Sequence, residues 1–362
     1  MHQKRILIIW LTMLGIACHA QNIVLNAHDN HIHYMGRVIF HDEDTELAWS
    51  CSSATVNFKG TGIKVTLKDE HGDNYFNVIV DNKVTSVLHP DSTQKEYILA
   101  AGLTNTNHTV ELYKRTEWAM GKTWIYQFAL DKNSQILLQS PPKKHKIEFF
   151  GNSISCGYAD EDSTGKDRGT SQFENGYLSY AALTARHFDA EFYNTSRSGI
   201  GITVSWFPLI MPEMYNKADP TDLVYDQGMW DFSKYTPDVV VINLFQNDAW
   251  IVKLPDNDQF KARFGTKPPT DDQLIKAYRN FVKSIRDVYP KARIVCILGS
   301  MDATKPGSPW PGYIEKAVAS FGDKKIYTHF IPYKNTPGHP SIKEQQAMAD
   351  DLTSYIEKNI VW

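Results

Sequence analysis

The sequence predicts an α/β protein in two parts: a three-layer domain built on a parallel sheet, preceded by an all-β sandwich of jelly-roll type. Three observations predict it. Up to about residue 140, short segments of alternating polarity recur between turn signals, the mark of an antiparallel sandwich. Pro141 and Pro142 then stop strand and helix alike. After His145, apolar strand segments alternate with helical ones, the mark of a parallel sheet covered on both faces. A chain of 362 residues is also too long for one small core.

Taken in order, Lys4 and Arg5 precede an apolar run from Ile6 to Ala17 that ends in Cys18, His19 and Ala20. This reads as a signal peptide over residues 1–20, removed before Gln21, and so as a secreted or periplasmic protein. A lipidated Cys18 is the alternative, disfavoured by Gly15 where such signals usually carry Leu. No other stretch is apolar and long enough to span a membrane. Sandwich strands are expected at 54–58, 63–67, 75–80, 97–99 and 109–113, within a domain covering 21–140. Parallel strands are expected at 147–150, 190–193, 239–244, 294–298 and 326–331, within a domain covering 145–362. A helix is expected over 175–188, and capping boxes at Thr270 with Gln273 and Ser341 with Glu344 start two more.

A formal charge of −3 and an apolar share of 42% describe an ordinary globular protein, with no basic face for nucleic acid. Beyond the leader, Cys51, Cys156 and Cys296 are an odd number, so at least one thiol is free and no disulfide framework organises the fold. Nucleotide, dinucleotide and zincin motifs and the Gly-x-Ser-x-Gly elbow are all missing.

Ser153 carries the chemistry. It stands just past the first parallel strand, between Gly151-Asn152 and Gly157, where open α/β sheets place their ligand crevice. A helix cap would use the same residue types. The later strand ends tip the balance: Asn194 to Gly199, Gln246-Asn247-Asp248 and Gly338-His339-Pro340 are all small and polar. Four strand ends meeting at one edge are what an active site needs.

These segments resemble the SGNH-type hydrolases, and most closely carbohydrate esterase family 2, acetyl esterases with a jelly roll ahead of a flavodoxin-like hydrolase domain. The matching residues are Gly151 to Tyr158, Glu174 to Tyr177 with Tyr180, Ala185-Arg186, Ser198 to Ile202, Asn247-Asp248, His339-Pro340 and, in the sandwich, Gly36-Arg37. The resemblance implies Ser153 as nucleophile and His339 as base, with an oxyanion hole from the amides of Ser153 and Gly199 and the side chain of Asn247. It also implies a secreted O-acetyl esterase acting on plant-type polysaccharide or oligosaccharide, without cofactor or metal. Trp206, Trp250 and Trp310 fall in segments at the catalytic edge and are candidates to stack on sugar, Trp250 first among them.

Two positions depart from the family pattern. Phe245 stands where a Gly is common, and Thr336 stands where an Asp three residues before the His completes the triad. The expectation is therefore a Ser–His dyad whose ring is oriented by a carbonyl from Asn335 to Gly338, with a triad using an acid from elsewhere kept as the alternative. The departures also keep open a carbohydrate-binding protein on a decayed scaffold, or an esterase for other acyl groups. His28, His31 and His33 read as a solvated strand entrance rather than a metal site, and Cys156 as a packing residue rather than a nucleophile.

Overall fold

A computed structural model describes residues 23–219 and 229–362. The expected leader lies outside the described residues, and no described helix is long and apolar enough to cross a membrane. Two six-stranded antiparallel sheets form the N-terminal sandwich. Alternation builds it: along Ile63–Asp69, Ile63, Val65 and Leu67 are fully buried while Lys64, Thr66 and Lys68 are half-exposed. Their inward faces meet Leu25, Val56, Phe58, Leu112 and Phe128 in one core.

All five expected sandwich strands are present, but sequence reading missed a central one. Thr123–Leu130 pairs with Ile23–Asn26, Thr45–Leu47 and Ile63–Asp69. A register shift between Ile125 and Gln127 breaks its alternation, so the period-2 signal fails where the strand bends. Lys83–Leu88 was missed because nearly all of it is exposed, leaving no apolar face to detect.

The second part is a five-stranded parallel sheet in the order Ala190–Ser196, His145–Gly151, Val239–Asn243, Arg293–Leu298, Ile326–Phe330. Numbered along the chain this is 2-1-3-4-5, so the direction of winding reverses between the first and third strands. Residues on one face, Ile147, Phe149, Val241 and Val295, pack under the helices Tyr180–His187 and Ile342–Asn359. On the other face, Phe150, Val240, Ile242 and Ile294 pack under Asp271–Val288 and Trp310–Ala319. Glu148 is buried in the middle of this sheet, and the sandwich supplies its counter-charge. Arg37 bonds it at 2.7 Å, while the Thr195 and Tyr289 hydroxyls complete its shell.

Both capping residues begin helices, with Gln273 accepting from the Thr270 amide and Glu344 from the Ser341 amide. The helix expected over 175–188 is shorter and runs Tyr180–His187, capped by Ser179. Residues 175 and 176 are drawn elsewhere: the Gly176 amide donates to the Arg115 carbonyl and Asn77 donates to the Asn175 side chain, both from the sandwich.

Candidate active site

The first parallel strand ends at Gly151, and Ser153 begins a four-residue helix immediately beyond it. The Asn152 side chain caps that helix by accepting from the Ile154 amide at 3.1 Å, which turns the chain sharply and leaves Ser153 Oγ at the sheet edge. This is the crevice between the first and third strands, where the winding reverses. Ser153 Oγ lies 2.8 Å from Nε2 of His339, although 186 residues separate them.

The opposite edge of the imidazole meets a carboxylate. His339 Nδ1 is 2.9 Å from both oxygens of Asp167, and the His339 amide also donates to Asp167 at 3.0 Å. A carboxylate only accepts, so the proton belongs on Nδ1 and the Nε2 lone pair faces the Ser153 hydroxyl. Burial pushes the Asp167 carboxyl up, but the hydrogen bonds and charge of His339 outweigh it and hold the group below its ordinary value. Gly338 adopts φ +70°, and a Cβ there would press on Asp167 at 3.1 Å, so glycine lets the two loops close on each other.

The expected dyad is therefore replaced by a Ser–His–Asp arrangement whose acid comes from a different loop. The Thr336 and Pro337 carbonyls are engaged by Lys334, whose Nζ donates to them at 2.9 and 3.1 Å and to Thr336 Oγ1 at 2.6 Å. Lys334 and Asp167 were both missed in the sequence. Asp167 lies 14 residues after Ser153 in the loop Ser163-Thr164-Gly165-Lys166-Asp167, where no strand end or spacing rule marks it. The loop is shaped by Asp162, which accepts from Thr164 and ion-pairs with Arg168 at 2.7 Å.

Among the described residues, the amides of Ser153 and Gly199 have no protein acceptor. Gly199 holds φ +80°, a conformation other residues rarely adopt. Asn247 is buried, and its orientation follows from chemistry: the Trp206 indole N–H can only donate, so the atom 3.1 Å away is the carbonyl oxygen. The Asn247 amide nitrogen then donates one hydrogen to the Ile200 carbonyl at 2.8 Å and has no second acceptor among the described residues. Asp248, fully buried, holds the rest of this loop by accepting from the amides of Ile202, Thr203 and Val204 and from the Thr203 hydroxyl. Burial pushes its carboxyl up, against those bonds.

The three tryptophans separate. Trp250 is half-buried in the wall of a cleft of about 540 Å³ shared with Asp167, Asp302, Tyr333 and His339, its indole N–H held by Asp302 at 3.2 Å. Trp206 is 46% exposed and, besides any face it offers a ligand, fixes Asn247. Trp310 does not reach the surface: at 4% exposure it packs edge-on against Phe245 and Tyr313 in the core. Its place at the start of a helix turns it inward, which corrects the expectation that it stacks on sugar.

Phe245 does not narrow the crevice. Its backbone sits at φ +94°, which accounts for a Gly at this position, and its ring is buried against Tyr278 and Trp310. The strain of a left-handed residue is about 1–3 kcal/mol, within what a fully buried phenyl ring offsets. Cys51, Cys156 and Cys296 are free and buried, and burial pushes the Cys156 thiol well up, the opposite of what a nucleophile needs. His31 pairs with Asp29, His33 with Glu191, and His28 bonds the Asp44 carbonyl.

Residues 34–142 match the family described as Carbohydrate esterase 2 N-terminal, and residues 149–351 match the GDSL-like Lipase/Acylhydrolase family. The Cellulase/esterase CelE of Acetivibrio thermocellus is 35% identical over 346 residues, covering 91% of this chain and 39% of CelE, so the chain spans well under half of that protein. An acetylxylan esterase / glucomannan deacetylase of Cellvibrio japonicus is 25% identical over 348 residues, covering 93% of this chain and 91% of that one. A solved family two carbohydrate esterase from Clostridium thermocellum, in complex with cellohexaose, is 34% identical, with a TM-score of 0.78 over 90% of this chain and 98% of that one.

Proposed function

We propose that this esterase, which belongs to carbohydrate esterase family 2, removes O-acetyl groups from plant-type polysaccharides or oligosaccharides outside the cytoplasm. The observation that carries the reading is the chain of contacts from Ser153 Oγ through His339 to Asp167. The acetyl specificity draws on the names of the relatives, and export on the charged and apolar leader of the sequence.

Ser153 Oγ attacks the ester carbonyl as its proton passes to His339 Nε2. Negative charge gathers on the carbonyl oxygen, where the amides of Ser153 and Gly199 and the free hydrogen of Asn247 receive it; one such donor contributes about 2.7–4 kcal/mol. The imidazolium, stabilised by Asp167, returns the proton to the departing sugar hydroxyl. Water then repeats the sequence on the acetyl-enzyme and releases acetate. Trp250, held edgewise by Asp302, offers a flat apolar face to a sugar ring in the adjoining cleft.

The test is acetate release from acetylated xylan and acetylated glucomannan by the purified protein, with 4-nitrophenyl acetate as a small reference ester. Release from at least one glycan is expected. Glycan binding with no acetate released from any of the three would favour the non-catalytic reading. Within the hole, Asn247→Ala is expected to lower kcat by about two to three decades with KM little changed. A loss below fivefold would remove Asn247 from that role.

A further inference from the structure

The last strand residue and the turn that follow it in the sandwich, Lys114-Arg115-Thr116-Glu117, are 0, 3, 0 and 1% exposed. Charged side chains are almost never buried so completely unless something holds them, and three of them are consecutive or nearly so. Each is directed at a backbone. Lys114 Nζ donates to the carbonyls of Thr116 and Glu117 at 2.9 and 3.2 Å, which fixes the turn itself. Arg115 donates to the carbonyls of Glu174 and Gln172 and pairs with Glu161, in the segment that also carries Asp167. Glu117 leaves the sandwich altogether and accepts the amide of Ser198 at 2.7 Å.

Ser198 precedes Gly199, whose N–H is one of the three donors aimed at the carbonyl oxygen. The orientation of that N–H is the orientation of the peptide plane joining residues 198 and 199. The peptide after that plane is held by the Trp206 amide, which donates to the Gly199 carbonyl at 3.0 Å. The peptide before it is held by Glu117, through the Ser198 amide, and the one before that by the Arg197 amide on the Gly151 carbonyl at 3.3 Å. The Arg197 guanidinium is held too, lying 3.9 Å from the ring centre of Trp118 and 3.1 Å from that of Phe207. Adjacent sandwich residues, Glu117 and Trp118, thus grip adjacent residues of the loop that bears the donor. Glycine at φ +80° has no side chain of its own to hold it there.

We infer that Glu117 is a positioning residue for ester hydrolysis: from the sandwich it holds the Ser198 amide, and so the peptide next to the one whose Gly199 N–H is aimed at the reacting carbonyl. The inference rests on the reading of Ser153, Gly199 and Asn247 given above. It makes the sandwich part of the catalytic apparatus. The surroundings fit a fixed acceptor. Burial pushes the carboxyls of Glu117 and Glu174 up, and most strongly that of Glu174, which accepts from the Glu117 amide. Arg197 and Lys114 pull the Glu117 carboxyl the other way without cancelling burial, and the bond to the Ser198 amide asks only for an acceptor oxygen, charged or neutral.

The test compares Glu117→Leu, which removes the acceptor, Glu117→Asp, which draws it back by one methylene, and Glu117→Gln, which keeps an acceptor oxygen without the charge. A donor displaced by about 1 Å loses most of its value in the transition state and little in the ground state, so kcat should fall and KM should hold. Expected are a fall in kcat of about 30- to 300-fold for Glu117→Leu and Glu117→Asp, KM within twofold, and kcat within about fivefold of the parent for Glu117→Gln. The rate at which a fluorophosphonate labels Ser153 should fall in parallel, since the phosphonyl oxygen uses the same donors. Folded fraction is measured by circular dichroism for each variant, and Glu117→Asp carries the test if Glu117→Leu does not fold. Parent-like kcat per folded molecule in Glu117→Asp, or losses that track folded fraction alone, would overturn the inference and leave the esterase reading standing. A parent protein that neither hydrolyses 4-nitrophenyl acetate nor takes the fluorophosphonate label would end both.

Discussion

Ser153→Ala is expected to lower turnover of 4-nitrophenyl acetate and of acetylated glycan by about five to six decades, with little change in KM. The substitution removes one oxygen whose bond runs to His339, in a short helix whose cap at Asn152 is untouched. Thermal unfolding should therefore stay within a few degrees of the parent. What remains is the stabilisation supplied by the amides, Asn247 and the cleft, which in comparable sites leaves about three to four decades over water. His339→Ala should cost about as much, and the double variant no more than either, because the two atoms act as one unit. Retention of more than about one part in a hundred of parental turnover by Ser153→Ala would show that another group attacks the ester.

The parts of this site that were legible in the sequence are those fixed by strand ends. Ser153, Gly199 and Asn247 each follow a parallel strand directly, and a parallel sheet brings such positions to one edge whatever the rest of the chain does. His339 was legible for a related reason, since it stands just before the capping box that starts the last helix. The alternation of buried and half-exposed residues along Ile63–Asp69 made the sandwich equally plain. Thr123–Leu130 was lost to a bulge, which shifts the period within the strand.

What was not legible depends on loops meeting across long sequence separations. Asp167 and Lys334 act on the His339 loop from positions that no period or motif marks, and Glu117 reaches the site from another domain. Trp310 illustrates the converse: its sequence neighbourhood is that of the catalytic edge, but the first turn of its helix rotates the ring into the core against Phe245. The sequence does carry one mark of the Glu117 contact, three charged residues among four at 114–117 directly after an alternating strand, and the structure shows them buried. A strand end and turn that read Lys-Arg-Thr-Glu should shed those charges into water unless another surface is waiting for them.

Asp167→Asn is expected to lower kcat by about two to four decades while KM holds. The carboxylate does two things for His339: it keeps the proton on Nδ1, so that Nε2 is free to take the proton of Ser153, and it offsets the positive charge that follows. A carboxamide can present its NH₂ to Nδ1 instead, which would place the ring proton on Nε2 and leave Ser153 without a base. The lower end of the range applies because the Asp167 side chain is about one-third exposed, so water can assume part of the acceptor role. Its carboxyl is held below the ordinary value by His339 against the pull of burial, so the group stays ionised from neutral into mildly acid solution. The stability this contributes is present above the unfolded value, near 4, and is lost as pH falls through the lower folded one. Asp167→Asn should therefore unfold more readily than the parent at neutral pH, with the difference shrinking below about pH 4. Asp167→Ala separates tautomer from charge: lacking a misdirected amide, it should retain more turnover than Asp167→Asn. Turnover within tenfold of the parent in both variants would return the mechanism to a Ser–His dyad, with Asp167 reduced to a latch between two loops.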